Sequence, residues 1–357
     1  MARMRGMAPS FTMSGMRKPT QIEAFYALYS IAAAGGRGEA LFGDSFDQAL
    51  DFYQHALIGD GYPIAHLEFP LLGKPCLDLL SVYGAVPLGA KFAPGAGYGR
   101  QAMFDWFAET SANMQTNHIS MGLELDLSTG QTQTVGVYLQ QRRHTQLVAP
   151  FLESVGEAAR TQSYLDTLER MPEGWPPSYI GLFPGREGTP MRIGGYTGSD
   201  EQARCAEDPA YLGKRFRQIG FTAFDADMLD RCAEFMHLAP SIDFQFDIMS
   251  DGSLGDTFGL SLSFNETKPR EARECMQSGY GVKLMHVLQT WGLADDRWKK
   301  IAGAAFARSV GVEGEDGAEE RFALCIRFNY AKVKFSSCEP KPAKFYLTCI
   351  AGKLENR

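Results

Sequence analysis

Residues 241–248 read Ser-Ile-Asp-Phe-Gln-Phe-Asp-Ile, apolar at every even position and polar at every odd one. After a turn at Ser250-Asp251-Gly252-Ser253 the alternation resumes in Thr257-Phe258-Gly259-Leu260-Ser261-Leu262-Ser263-Phe264. A period of two marks a strand whose faces meet different surroundings. Similar pairs occupy residues 64–71 with 76–83, 117–127 with 131–141, 179–183 with 191–196, and 321–335 with 343–351. Helical periodicity lies between them, over 21–34, 46–58, 100–112, 147–171, 210–219, 226–238, 269–291 and 295–310. The acidic, Gly-rich stretch 311–318 reads as a loop. The pattern predicts an α+β protein, with ten antiparallel strands closed into one barrel inside a ring of helices. An open sheet with helices on one face fits the same pattern, but ten open strands is near the practical limit. No linker divides residues 20–357, which read as a single domain. Residues 1–19, rich in Met and Arg, read as a disordered tail.

Strand parity sorts the side chains. Ala65, Leu67, Phe69, Val135, Val137, Leu139, Met191 and Ile193 are expected to face the helices, as are Phe322 to Phe328 at even positions. His66, Glu68, Glu124, Tyr138, Arg192, Tyr196, Asp243, Gln245, Asp247, Arg327, Lys344 and Tyr346 are expected to face a polar interior.

Composition narrows the partners. A net charge of −7 over 357 residues argues against nucleic acid, which needs a clustered basic face. Seven scattered cysteines form no CxxC pair and suggest reduced thiols in a cytoplasm. No apolar run approaches the roughly 18 residues of a membrane span. A monomer is expected.

The predicted interior gathers three cations, Arg192, Arg327 and Lys344, with Tyr138, Tyr196 and Tyr346 between them and Glu68 nearby. Convergent cations suit a multiply charged anion such as diphosphate. Aromatic faces suit a carbocation, and a carboxylate suits proton removal. Together they match ionisation of an allylic diphosphate, capture of the cation by a nucleophile, and deprotonation. The structural alternative is that Arg192 and Arg327 only pair with Glu124, Asp243 or Asp247, and that the tyrosines are ordinary strand residues. His66 and His118 both face inward, but no third ligand stands at a telling spacing, so no metal site is assigned. Asp295-Asp296-Arg297-Trp298-Lys299 fails the DDxxD pattern at its fifth position, and no GxGxxG loop is present.

The order of these segments resembles the aromatic prenyltransferases of the αββα barrel type, and within them the cyanobactin peptide prenyltransferases of ribosomal-peptide pathways. His66-Leu67-Glu68, the pairing of 118–126 with 134–140, Arg192-Ile193-Gly194-Gly195-Tyr196 and Pro342-Ala343-Lys344-Phe345-Tyr346-Leu347 carry the resemblance. It implies a dimethylallyl or geranyl diphosphate co-substrate, with no tightly bound cofactor and any Mg2+ riding on the diphosphate. The implied acceptor is a peptide side chain, or alternatively free tryptophan, an indole or a phenol. A non-catalytic barrel binding a small amphiphile is the rival outside enzymes. By resemblance Glu68 is the base, and Tyr138, Tyr196 and Tyr346 shield the cation. Arg192, Arg327, Lys344 and Arg142 hold diphosphate, with the last two and Arg327 standing in for lysines missing at Gly136 and Gly194. His66, Glu124, Asp243, Gln245 and Asp247 are expected at the acceptor. The small residues Gly136, Gly194, Thr257, Gly259 and Ser261 leave room on this reading for a longer isoprenoid.

Overall fold

The alternating segments all fold as strands of one antiparallel sheet that closes on itself. The computed structural model describes residues 21–55, 63–89, 101–114, 119–126, 134–141, 144–183, 188, 190–266, 268–313 and 319–353. The tail expected over 1–19, together with His118 and Arg142, lies outside them. The strands are β1 (Ile64–Pro70), β2 (Asp78–Tyr83), β3 (Ser120–Asp126), β4 (Thr134–Gln140), β5 (Pro177–Leu182), β6 (Met191–Tyr196), β7 (Ile242–Ile248), β8 (Leu254–Ser263), β9 (Phe306–Glu313), β10 (Glu319–Ser336), β11 (Glu339–Pro340) and β12 (Lys344–Lys353). Strands β1 to β8 pair in sequence order, β12 fits between β1 and β10, and β10 pairs back onto β8. Ten strands thus form a closed antiparallel barrel ringed by helices, as the alternation pattern predicts.

The helices are α1 (Gln21–Ala33), α2 (Phe46–His55), α3 (Gln101–Met114), α4 (Val148–Ser154), α5 (Thr161–Arg170), α6 (Ser199–Glu207), α7 (Pro209–Ile219), α8 (Ala226–Leu238), α9 (Pro269–Ser278) and α10 (Tyr280–Thr290). Asp208 caps α7, accepting from the Tyr211 amide, with Pro209 in the first turn and Gly220 left-handed at the end. The helices cover the outer face of the barrel, where the apolar parity predicted from sequence holds. Phe244, Phe246 and Phe258 meet Trp175, Phe216 and Phe221 in an aromatic cluster with centroids 4.7–6.4 Å apart. Each such ring contributes roughly 1.5–3 kcal/mol by leaving water. That packing fixes the register, because a one-residue slip would turn the polar set outward.

The structure corrects the helix boundaries. The single helix expected over 147–171 is two, α4 and α5, broken at Gly156, whose φ of +79° no helix accommodates. The segment 269–291 is likewise split, at Gly279, where an added Cβ would lie 2.8 Å from the Cα of Cys275. The helix expected over 295–310 is a 3-10 turn (Asp296–Ala304) followed by strand β9, which pairs with the first half of β10. The helix α6 was not foreseen in the polar run Ser199–Glu207. Its apolar side chains, Ala203, Cys205 and Ala206, are too few and too small to draw a helical stripe in the sequence; Gln202 and Cys205 are the residues it buries.

Candidate active site within the barrel

The interior of the barrel is lined by the polar parity, and it holds a cavity of about 710 Å3, the open space at its mouth included. Leu80 and Val82 from β2, Glu124 from β3, and Tyr138 and Gln140 from β4 form one side. Tyr179, Tyr196, Asp243 and Ser261 from β5 to β8 form another, and Tyr330, Lys332 and Tyr346 complete the wall. Tyr196 stands at the mouth, 45% exposed.

Aromatic rings dominate this wall. Tyr330 and Tyr346 lie 4.1 Å apart between centroids, inclined by 33°. Tyr138 meets Tyr179 edge-on at 5.9 Å and Phe183 at 5.3 Å. The Tyr138 hydroxyl donates to the carboxylate of Glu124, and Tyr346 is hydrogen bonded to Glu68. Burial keeps the phenols of Tyr179, Tyr330 and Tyr346 neutral by raising their pKa values. These rings line the cavity, and a cation lying over an aromatic face is stabilised.

The charged groups fall into two sets. Two of the four expected to bind diphosphate, Arg192 and Lys344, are already paired and are not among the residues that line the cavity. Arg192 donates to both oxygens of Asp247, at 2.7 and 3.1 Å, and lies 4.3 Å from the centre of the Phe183 ring. Burial opposes the charge on Arg192, but Asp247 holds the guanidinium ionised. Lys344 sits 2.7 Å from Glu68 and 2.8 Å from Asp78. Burial would raise the Glu68 carboxyl, yet the ammonium groups of Lys344 and Lys332 outweigh it and hold it at about 2. Half-buried Arg327 has no ion-pair partner among the described residues. It helps burial to lower His66 to about 4, so the imidazole is neutral; His66 Nδ1 lies 3.2 Å from Asn329 Nδ2 and 3.1 Å from Thr348 Oγ1.

The second set lines the cavity: Glu124, Asp243 and Lys332. Lys332 was not foreseen. The apolar positions of β10 run even from Phe322 to Phe328 and odd from Ala331 to Phe335, and the register against β12 shifts between Phe328 and Ala331. That shift is a bulge, which turns both Asn329 and Tyr330 inward and carries Lys332 with them. The change of parity was visible in Phe-Asn-Tyr-Ala-Lys-Val. Burial and the Arg192 charge lower the Lys332 ammonium to about 8, against Glu68 and Glu124. Asp243, desolvated, is raised to about 7. Tyr179, also missed, faces inward by ordinary alternation with Ile180 and Leu182, which face the core outside the barrel.

The glycines do not leave the space the sequence suggested. At Gly194 an added Cβ would fall 2.1 Å from the Tyr179 ring, at Gly181 2.7 Å from Tyr138, at Gly136 3.0 Å from Phe183, and at Gly259 2.5 Å from Gln245. Each hollow is a seat for a neighbouring side chain, so the expectation of room for a longer isoprenoid at these glycines is overturned. Among the described residues no group of three or more His, Cys, Asp and Glu side chains could hold a metal ion.

No family model matches the chain, and no curated protein matches it. Among solved structures it is similar to 5-dimethylallyltryptophan synthase from Streptomyces coelicolor, at 12% identity and a TM-score of 0.48 over 93% of this chain and 97% of that one. It is similar to AnaPT from Neosartorya fischeri, at 11% and 0.47 over 94% and 93%. NotF, solved with brevianamide F and DMSPP, gives 10% and 0.47 over 98% and 99%. Likenesses this distant assign no role to any residue of this chain.

Proposed function

We propose that the chain transfers a prenyl group from an allylic diphosphate to an electron-rich small aromatic molecule, an indole in the first instance. The observation that carries this reading is the tyrosine-walled cavity inside the closed barrel, with Glu124, Asp243 and Lys332 among its lining. Its wall of rings around a carboxylate suits a single aromatic ring beside an allylic chain. The allylic C–O bond breaks and its electron pair leaves on the diphosphate, whose charge Lys332 faces. The cation forms between tyrosine faces. An aromatic carbon supplies the electrons of the new C–C bond and then loses its proton to a carboxylate. Glu124 lines the cavity directly, whereas Glu68 reaches it through Tyr346.

The open mouth at Tyr196 favours a second reading, in which an aromatic side chain enters on a peptide. Incubation with dimethylallyl and geranyl diphosphate, with and without Mg2+, against tryptophan, an indole, a phenol and a cyclic peptide tests both. Mass spectrometry should show a prenyl increment on the indole with the five-carbon donor. An increment on the cyclic peptide alone would replace the first reading by the second, and none at all would leave a barrel that only binds.

A further inference from the structure

Among the residues that line the cavity is an acid with a buried oxygen that no hydrogen bond satisfies. Asp243 sits on β7, flanked through the ladder by Tyr196 on β6 and Ser261 on β8. Its Oδ1 is buried and has no hydrogen-bond partner. A desolvated carboxylate without a partner is costly, and a folded protein rarely leaves one without a use. The groups facing it are Tyr179 from β5, Tyr196, Tyr330 and Lys332 from β10, and Glu124 across the cavity. Deeper on the same wall, Arg192 is engaged by Asp247. No described cation reaches Asp243.

We infer that Asp243 is a specificity residue that selects a ligand bearing a protonated amine next to an aromatic ring, the ammonium binding its carboxylate between the tyrosine faces. As a property of the prenyl acceptor this rests on the transfer reading above; as a property of the cavity it does not. A neutral N–H donor would satisfy one oxygen, but only a cation supplies the opposite charge that desolvation makes valuable. The surrounding rings add a cation–π attraction. Burial leaves Asp243 partly protonated near neutrality. An arriving ammonium therefore drives its proton to the buffer, giving an ammonium–carboxylate pair and one H+ for each protonated site filled. Lys332 stays charged below about 8 and opposes a cation equally across pH 6–7, the range in which the Asp243 proton is counted. The tyrosines stay neutral throughout.

Calorimetry of the whole chain tests this with three probes of similar shape: tryptamine, 3-ethylindole and indole-3-propionate. Titrations are run between pH 6 and 8 in two buffers of different ionisation enthalpy. Tryptamine should bind about tenfold or more tighter than the neutral indole, roughly a 1.4 kcal/mol preference, with proton release at pH 6–7, the range in which Lys332 stays charged and Asp243 alone titrates. Asp243→Asn should erase both the preference and the proton release while keeping the affinity for 3-ethylindole, which shows that the variant is folded. Equal or tighter binding of the neutral or anionic probe overturns the inference, as does proton release that survives in Asp243→Asn, or failure of the folded protein to bind any of the three. Product formation with dimethylallyl diphosphate, measured on the same samples, reports separately on transfer. Amine preference without product defeats the transfer reading alone, and product without amine preference defeats only the role of Asp243.

Discussion

The ammonium of Lys344 lies 2.7 Å from the carboxylate of Glu68, and the two residues face each other from the last and first strands of the barrel, where Glu68 pairs in register beside Tyr346. Asp78 closes the triad at 2.8 Å. One cation between two buried acids is a balance that neither strand could keep alone.

Removing that cation should therefore be severe. Lys344→Met leaves Glu68 and Asp78 buried and uncompensated, and should cost about 3–5 kcal/mol at pH 7. The pH dependence should reverse as well. In the parent chain the folded pKa of Glu68 is depressed from 4.5 to about 2, so its stabilising contribution is complete above pH 4.5 and is lost as pH falls toward 2. In Lys344→Met the stability should instead climb as pH falls from 7 and the two acids take up protons. Urea denaturation across pH 4–8 reads both slopes.

Asp243 makes the opposite prediction for the parent chain. Its folded pKa is raised from 3.8 to about 7, so the carboxyl destabilises the fold increasingly between those values and fully above 7. Asp243→Asn should be neutral at pH 4 and stabilising at pH 8, by up to about 3–4 kcal/mol on linkage grounds. Equal melting shifts at the two pH values would contradict the burial of an unpartnered acid.

Tyr179 occupies the hollow over Gly194. Gly194→Ala should displace that ring and destabilise the chain by about 1–3 kcal/mol. In a Tyr179→Leu background the same substitution should cost markedly less, because the ring atoms that lie within 2.2 Å of the new carbon are gone. A double-mutant cycle measured by thermal melts supplies the coupling.

Lys332 is the one described cation on the cavity wall, and under the transfer reading it carries the leaving diphosphate. Lys332→Met should weaken donor affinity about tenfold or more. Because its ammonium is lowered to about 8, donor affinity in the parent should decline as pH rises through 8, and that decline should vanish in the variant. Single-turnover rates distinguish the two candidate bases: Glu124→Gln should slow the reaction by about a hundredfold, and Glu68→Gln by less, since a carboxylate held at about 2 is a weak proton acceptor.

The fold was legible because strict alternation fixes which side of each strand is apolar. Phe244, Phe246 and Phe258 could face only the helices, and the inward set of Glu68, Tyr138, Arg192, Asp243 and Tyr346 followed. What alternation could not convey is pairing among the inward charges. The sequence left open whether Arg192 meets an anion or pairs with Glu124, Asp243 or Asp247, and only the β6–β7 register settles it on Asp247; Lys344 meets Glu68 and Asp78 only when β12 joins β1 at closure. The bulge at Asn329-Tyr330 interrupted the parity and hid Lys332, although the shift of apolar positions from Phe328 to Ala331 announced it. The broken helices were missed where single glycines, Gly156 and Gly279, outweighed an otherwise continuous periodicity.

Because β12 stands between β1 and β10, the first strand, already paired with β2, gains its second neighbour only when residues near 345 have been made, almost three hundred positions later. Until then a nascent chain exposes the unfilled flank of β1 and holds a ring with a missing stave. The last strand is thus the keystone of assembly: a ribosome must release nearly the whole polypeptide before any interior chamber exists, and a chain cut short before Lys344 would have no chamber at all.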